Sequence, residues 1–168
     1  MGIKTLLYIF LVAFFIVIIC TPLVETFILS RDRILLSSTI YNSLRAAEEA
    51  SYSYLFIRDI NAVVDEEVFC NSFADTFATS YKMDCIDYGN PLRFAPYDDS
   101  FNEFVVEIDF SPPDMLGEYE GRALVTKVTA TAESQYKFRT NLMRFMNDII
   151  TDPFLLRAER TYTMRVTN

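Results

Sequence analysis

Leu6–Val24 reads LLYIFLVAFFIVIICTPLV, 19 residues without a charge. A helix rises about 1.5 Å per residue, so this run covers roughly 28 Å, close to the ~30 Å hydrocarbon core of a bilayer. A helix also satisfies its backbone polar groups internally, which is the condition for lying in lipid. The competing reading is a cleaved signal peptide. Such a peptide has a shorter apolar region, about 7–15 residues, ending at a small-x-small site that does not follow here. A lipoprotein signal fits poorly too, because the bulky Ile19 precedes Cys20. The expectation is one retained span, with residues 1–30 as transmembrane helix and interface and residues 31–168 as one domain on the far side.

Outward from the span, Pro22 removes a backbone donor and is expected to kink the helix. Beyond Asp32, Ile34, Leu35, Tyr41, Leu44, Tyr52, Leu55, Phe56, Ile60 and Val63 recur at steps of three and four. No Gly or Pro interrupts residues 23–88. The spacing predicts one long helix from about Ile3 to Val63, with residues 31–63 as the spine of the outer domain. A second helix is predicted over 65–81, where Asp65, Glu66 and Glu67 suit the positive end of a helix dipole. On it Phe69, Phe73, Phe77 and Tyr81 fall at steps of four. Such a stripe normally packs into a core; a ligand-stacking surface is the other reading.

Gly89, Asn90, Pro91, Pro96, Asp98 and Asp99 mark residues 87–100 as irregular. The period then changes to two. Phe104, Val106, Ile108 and Phe110 alternate with Val105, Glu107 and Asp109, which predicts a half-buried strand over 103–110, ended by Pro112 and Pro113. Val128, Ala130 and Ala132 line one face of a strand over 122–133, and Ala158, Tyr162 and Met164 one over 156–167. Between them, residues 138–150 have helical spacing through Leu142, Phe145, Met146 and Ile149. The fold class is therefore α+β: a long N-terminal transmembrane-plus-spine helix packed on a small antiparallel sheet.

Charge is uneven along the chain. Residues 31–136 hold 8 basic and 19 acidic groups, whereas residues 137–168 hold 6 basic and 3 acidic. An acidic middle does not suit nucleic acid, so no direct nucleic-acid binding is expected. The absence of histidine excludes a Ser-His-Asp or Cys-His arrangement and a histidine metal site. With four glycines there is no glycine-rich phosphate loop, and no P-loop or dinucleotide fingerprint occurs. No catalytic residue, metal ligand set or cofactor is expected, and the chain reads as a non-enzyme. Asp98, Asp99 and Glu103, and Asp114, Glu118 and Glu120, are weak candidates for a hard cation, since neither group follows an EF-hand pattern. Cys70 and Cys85 flank the Phe-rich helix and are expected to bridge if the domain lies in an oxidising compartment; two buried free thiols are the alternative. Closing that loop would contribute about 3 kcal/mol. Cys20 is in the span and reads as a small apolar residue. The small residues Ala46, Ala47 and Ala50 would let another helix approach closely, or face the chain's own sheet.

An uncharged N-terminal helix with Pro22 near its end, an alanine-rich patch over Arg45–Ser51, a second helix over 65–81 and late threonine- and valine-rich strands together resemble the TadE-like minor pilins and pseudopilins. The resemblance implies a pilin-like fold and a structural subunit of a Tad-like pilus, secretion or DNA-transfer apparatus. Pro22, Ala46, Ala47 and Ala50 would then serve the assembly helix, with the bilayer and other pilin-like subunits or membrane assembly proteins as partners. It also implies a single-pass protein of the cell membrane, N-terminus cytoplasmic and domain extracytoplasmic, with a place in an extracellular filament. The alternative is a membrane-anchored accessory or scaffold protein of another envelope complex that does not polymerise.

Overall fold

The computed structural model describes residues 2–55, 65–111, 125–149 and 153–165. A single helix, α1 (Ile3–Leu55), carries the apolar run and continues into the domain without interruption, with Pro22 inside it. Its apolar part is long enough to cross a membrane, with a mean hydropathy of 2.8 and none of it buried. Burial begins at Glu25 and then follows Asp32, Leu36, Ile40, Leu44, Ala47 and Ser51, one stripe at helical spacing. The helix passes the boundary expected at residues 30/31 unbroken, and its packing against the domain starts earlier, at Glu25. The predicted continuation to Val63 lies partly in residues 56–64, outside the described residues.

Helix α2 (Glu66–Tyr81) runs back along α1. Asp65 caps its N-terminus by accepting a bond from the Val68 N–H, and Glu66 and Glu67 occupy its first turn. Lys82 ends it in the left-handed conformation, φ 54°, donating its N–H to the Ala78 carbonyl. The strands are β1 (Met83–Asp87), β2 (Leu92–Pro96), β3 (Phe104–Ser111), β4 (Val125–Gln135) and β5 (Leu155–Arg165), and α3 (Asn141–Ile149) lies between the last two. They form one antiparallel sheet in sequence order, β1-β2-β3-β4-β5.

Alternation decides which face is dry. Phe104, Val106 and Ile108 of β3, Val128, Ala130 and Ala132 of β4, and Leu156 and Ala158 of β5 point at the two helices. Phe69, Phe73 and Phe77 of α2 are fully buried against them, with Phe77 and Phe94 ring centroids 4.7 Å apart. Each such ring stabilises the fold by roughly 1.5–3 kcal/mol through burial alone. The opposite face stays in water, and Thr129 and Thr161 exchange a 3.1 Å hydrogen bond across it. The aromatic stripe is thus core.

The sheet has two strands more than the sequence predicts. Residues 87–100, expected to be irregular, contain most of a β1–β2 hairpin. Leu92 and Phe94 are buried and Arg93 between them is exposed, but a four-residue alternation between Pro91 and Pro96 is too short to stand out. The Asn90–Pro91 bond is cis. Where Pro91 has no N–H to offer, the Asn90 side chain continues the ladder: its Nδ2 donates to the Ile108 carbonyl (2.6 Å) and its Oδ1 accepts from the Ile108 N–H (3.1 Å). Helix α3 starts at Asn141 rather than 138, because Tyr136 and Phe138 are buried and the backbone around them is engaged elsewhere.

Candidate functional site

Two acids lie on the buried stripe of α1, just past the apolar run. Glu25 is 2% exposed and Asp32 is 1% exposed. Seven residues on a helix make nearly two turns, so both face the same way. What they face is the segment between β4 and α3. Glu25 Oε1 accepts from the Arg139 N–H (2.9 Å) and from the Tyr136 hydroxyl (3.1 Å), and Oε2 accepts from the Thr140 N–H (3.2 Å). Asp32 Oδ2 accepts from the Arg139 guanidinium (3.3 Å), and Oδ1 from that of Arg31 (3.1 Å). Arg139 therefore grips α1 twice, with its backbone at Glu25 and its side chain at Asp32. The Tyr81 hydroxyl makes a long 3.5 Å contact to the Asp32 carbonyl from the end of α2.

Burial pushes the Glu25 carboxyl upward, but the hydrogen bonds from Arg139, Thr140 and Tyr136 outweigh it and hold the group below the ordinary 4.5. Glu25 lies outside the apolar run, so this balance is set in the domain. The same pair drives Tyr136 well above its usual range, through burial and then the Glu25 charge. This arrangement fastens the domain to the helix where the apolar run ends.

Along the β5 edge, an open groove of about 630 Å³ runs between α1 and the sheet, lined by Arg33, Ser37, Tyr41 and Arg160 among others. Arg160 Nε donates to Ser37 Oγ (2.6 Å). Further along, the Tyr162 hydroxyl donates to Glu48 (2.6 Å), and this bond with burial pushes its pKa up to about 12. These contacts knit β5 to the spine.

The residues singled out from sequence fall in separate places. Pro22 sits within α1, half-buried, before Glu25. Ala47 is fully buried in the chain's own core, while Ala46 and Ala50 are half-buried. Cys70 and Cys85 are free thiols, so the expected bridge is absent from this structure. Geometry explains it: Cys70 to Lys82 rises about 18 Å along α2, and Lys82 to Cys85 returns only about 10 Å along β1. The shortfall of about 8 Å exceeds the ~7 Å limit on the Cα separation of a disulfide. Burial pushes both thiols above their usual pKa, and the Cys85 thiol donates to the Asp87 carbonyl.

The described acidic candidates turn to separate partners. Asp98 accepts from the Ser100 N–H, Asp99 pairs with Lys137, and Glu103 pairs with Arg93. Among the described residues no three carboxylate, cysteine or histidine groups converge as a metal site. Asp114, Glu118 and Glu120 lie outside the described residues.

Sequence reasoning missed the Glu25–Asp32 clasp. Its signal was phase: both acids share the helical register of Leu36, Ile40 and Ala47, where an apolar residue belongs. No protein-family model, curated protein or solved structure matches this chain.

Proposed function

We propose that this chain is a membrane-anchored structural subunit, a TadE-like minor pilin or pseudopilin of a pilus, secretion or DNA-transfer apparatus. One observation carries the reading: a single 53-residue helix has an apolar, unburied first part and serves as the spine of an α+β head from Glu25 onward. An α-helix in lipid needs no other partner for its backbone. In this reading the span anchors the protein and offers a surface to neighbouring helices, and the clasp sets the head at the bilayer.

The accessory reading, a scaffold that does not polymerise, is favoured by the burial of Ala47. That small residue serves the chain's own core and is withdrawn from any neighbour. Cell fractionation with intact-mass spectrometry separates the two. A chain recovered in sheared extracellular filaments supports the subunit. A chain confined to washed membranes, absent from filaments and held at fixed stoichiometry with one partner, overturns it for the scaffold. A chain released by high salt or carbonate overturns the membrane anchor itself.

A further inference from the structure

Helix α3 is amphipathic, and most of its apolar stripe is left unburied. Leu142, Phe145, Met146 and Ile149 recur at steps of three and four and form one stripe. Phe145 is 65% exposed, Met146 45% and Ile149 69%. The opposite side carries Arg144, Asn147 and Asp148, and these line a cleft against the domain with Tyr136 and Lys137. Arg144 Nε donates to the Phe138 carbonyl (2.7 Å). A helix packing on a soluble domain turns its apolar side inward; here Met143 packs on the core and Leu142 is half-buried, while Phe145, Met146 and Ile149 are left in the open.

Its place in the fold indicates what covers the apolar side. The residues that lead into α3, Arg139 and Thr140, donate their N–H groups to Glu25, the residue after the apolar run. The N-terminal end of α3 is thus fixed at the level where the unburied apolar surface of α1 ends. Phe154, half-exposed and 5.7 Å from Phe138 between ring centroids, flanks it where the chain returns into β5. Cationic groups stand at the same level: Arg31 and Arg139 beside Asp32, and Lys137 beside Asp99.

We propose that α3 is an interfacial helix that lies on the bilayer, with Phe145, Met146 and Ile149 in the headgroup–acyl boundary. A short helix with a strongly apolar face and a polar opposite face beds there about 5–10 Å deep. The proposal rests on the reading of α1 as a membrane span. It gives the head a second foothold beside the helix, so the domain rests on the membrane instead of standing off it.

The chain contains no tryptophan, so a single introduced one reports without background. Three full-length variants, F145W, F10W and Y88W, are reconstituted in phosphatidylcholine vesicles brominated either near the headgroup or deep in the acyl chain. Phe10 reports the span, and Tyr88, exposed at the far end of the β1–β2 hairpin, reports the aqueous side. The expected result is F145W emission blue-shifted relative to Y88W and quenched several-fold more, most by the shallow bromines, with F10W quenched most by the deep ones. F145W quenching equal to that of Y88W, while F10W is quenched, overturns the interfacial helix and leaves the span standing. F145W emission that is blue-shifted yet unquenched overturns it in favour of a protein partner or a second copy on the stripe. Absence of F10W quenching overturns the span and the interfacial helix together.

Discussion

Glu25 and Asp32 are the residues on which the junction of head and helix depends. Replacing Glu25 by Ala leaves two backbone N–H groups and the Tyr136 hydroxyl without their acceptor, and should cost about 1–3 kcal/mol in urea unfolding in detergent micelles. Removing only the hydroxyl, in Y136F, should cost about 1 kcal/mol. The pH dependence follows from the direction of the shift. The Glu25 carboxyl sits below 4.5 when folded, so its contribution is present in full above 4.5 and is lost as pH falls through the lower, folded-state value. E25Q should therefore flatten the acid limb of a stability–pH curve relative to the parent; an unchanged acid limb would show that other carboxylates govern it. Asp32 has two guanidinium partners, one on either oxygen. R31A or R139A alone should leave it paired and act mildly, whereas the double variant should lose about 3–5 kcal/mol, the penalty of an uncompensated buried charge. Additive losses in that cycle would contradict the shared-carboxylate picture. The phase of the two acids was legible in sequence, but their partners were not, because those of Glu25 lie 111 to 115 residues away.

At the scale of elements, legibility tracked length and periodicity. Strands β3 to β5 were visible because they are eight to eleven residues long, enough for a period of two to show in the sequence. Strands β1 and β2 were hidden because five residues each, beside a Gly-Asn-Pro turn, carry no more signal than a loop. The stripe of α2 was read correctly since its period of four outlasts local noise. For α1 the period gave the spine but not the use of each side. Ala47 could serve a neighbouring helix or the chain's own sheet, and it fills the chain's own core. A47L should therefore overpack the head and destabilise it by about 1–3 kcal/mol in thermal or urea unfolding, whereas A46L, half-buried, should cost less. A47L that leaves the head's stability unchanged would return Ala47 to the assembly surface.

For the whole molecule, the place where the head begins is the testable quantity. The sequence reading puts it at residue 31, following the loss of apolarity, and the burial of Glu25 offers an earlier start. A truncated chain starting at Pro22 retains both clasp acids, and one starting at Arg31 retains only Asp32. The shorter chain should be about 1–3 kcal/mol less stable, since the Arg139 and Thr140 N–H groups lose their acceptor. Equal melting of the two in the same detergent would place the start of the head at residue 31 after all. The general plan, one apolar helix leading into an α+β head, was plain in the sequence because hydropathy and alternation are local properties. The partners of the clasp and the exposure of the α3 stripe were not, because each depends on where the fold carries residues that are distant in the chain.

Pro22 has a mechanical consequence. Having no N–H, it leaves the Ile18 carbonyl without a rung partner, so the most compliant point of α1 lies three residues before Glu25. The clasp then acts as a collar on a shaft. A bending moment arriving from the apolar end is taken up at the proline and stopped at the collar, before it reaches the aromatic core. The missing rung makes Pro22 the point of α1 where a bend costs least, and the clasp lies between it and the aromatic core.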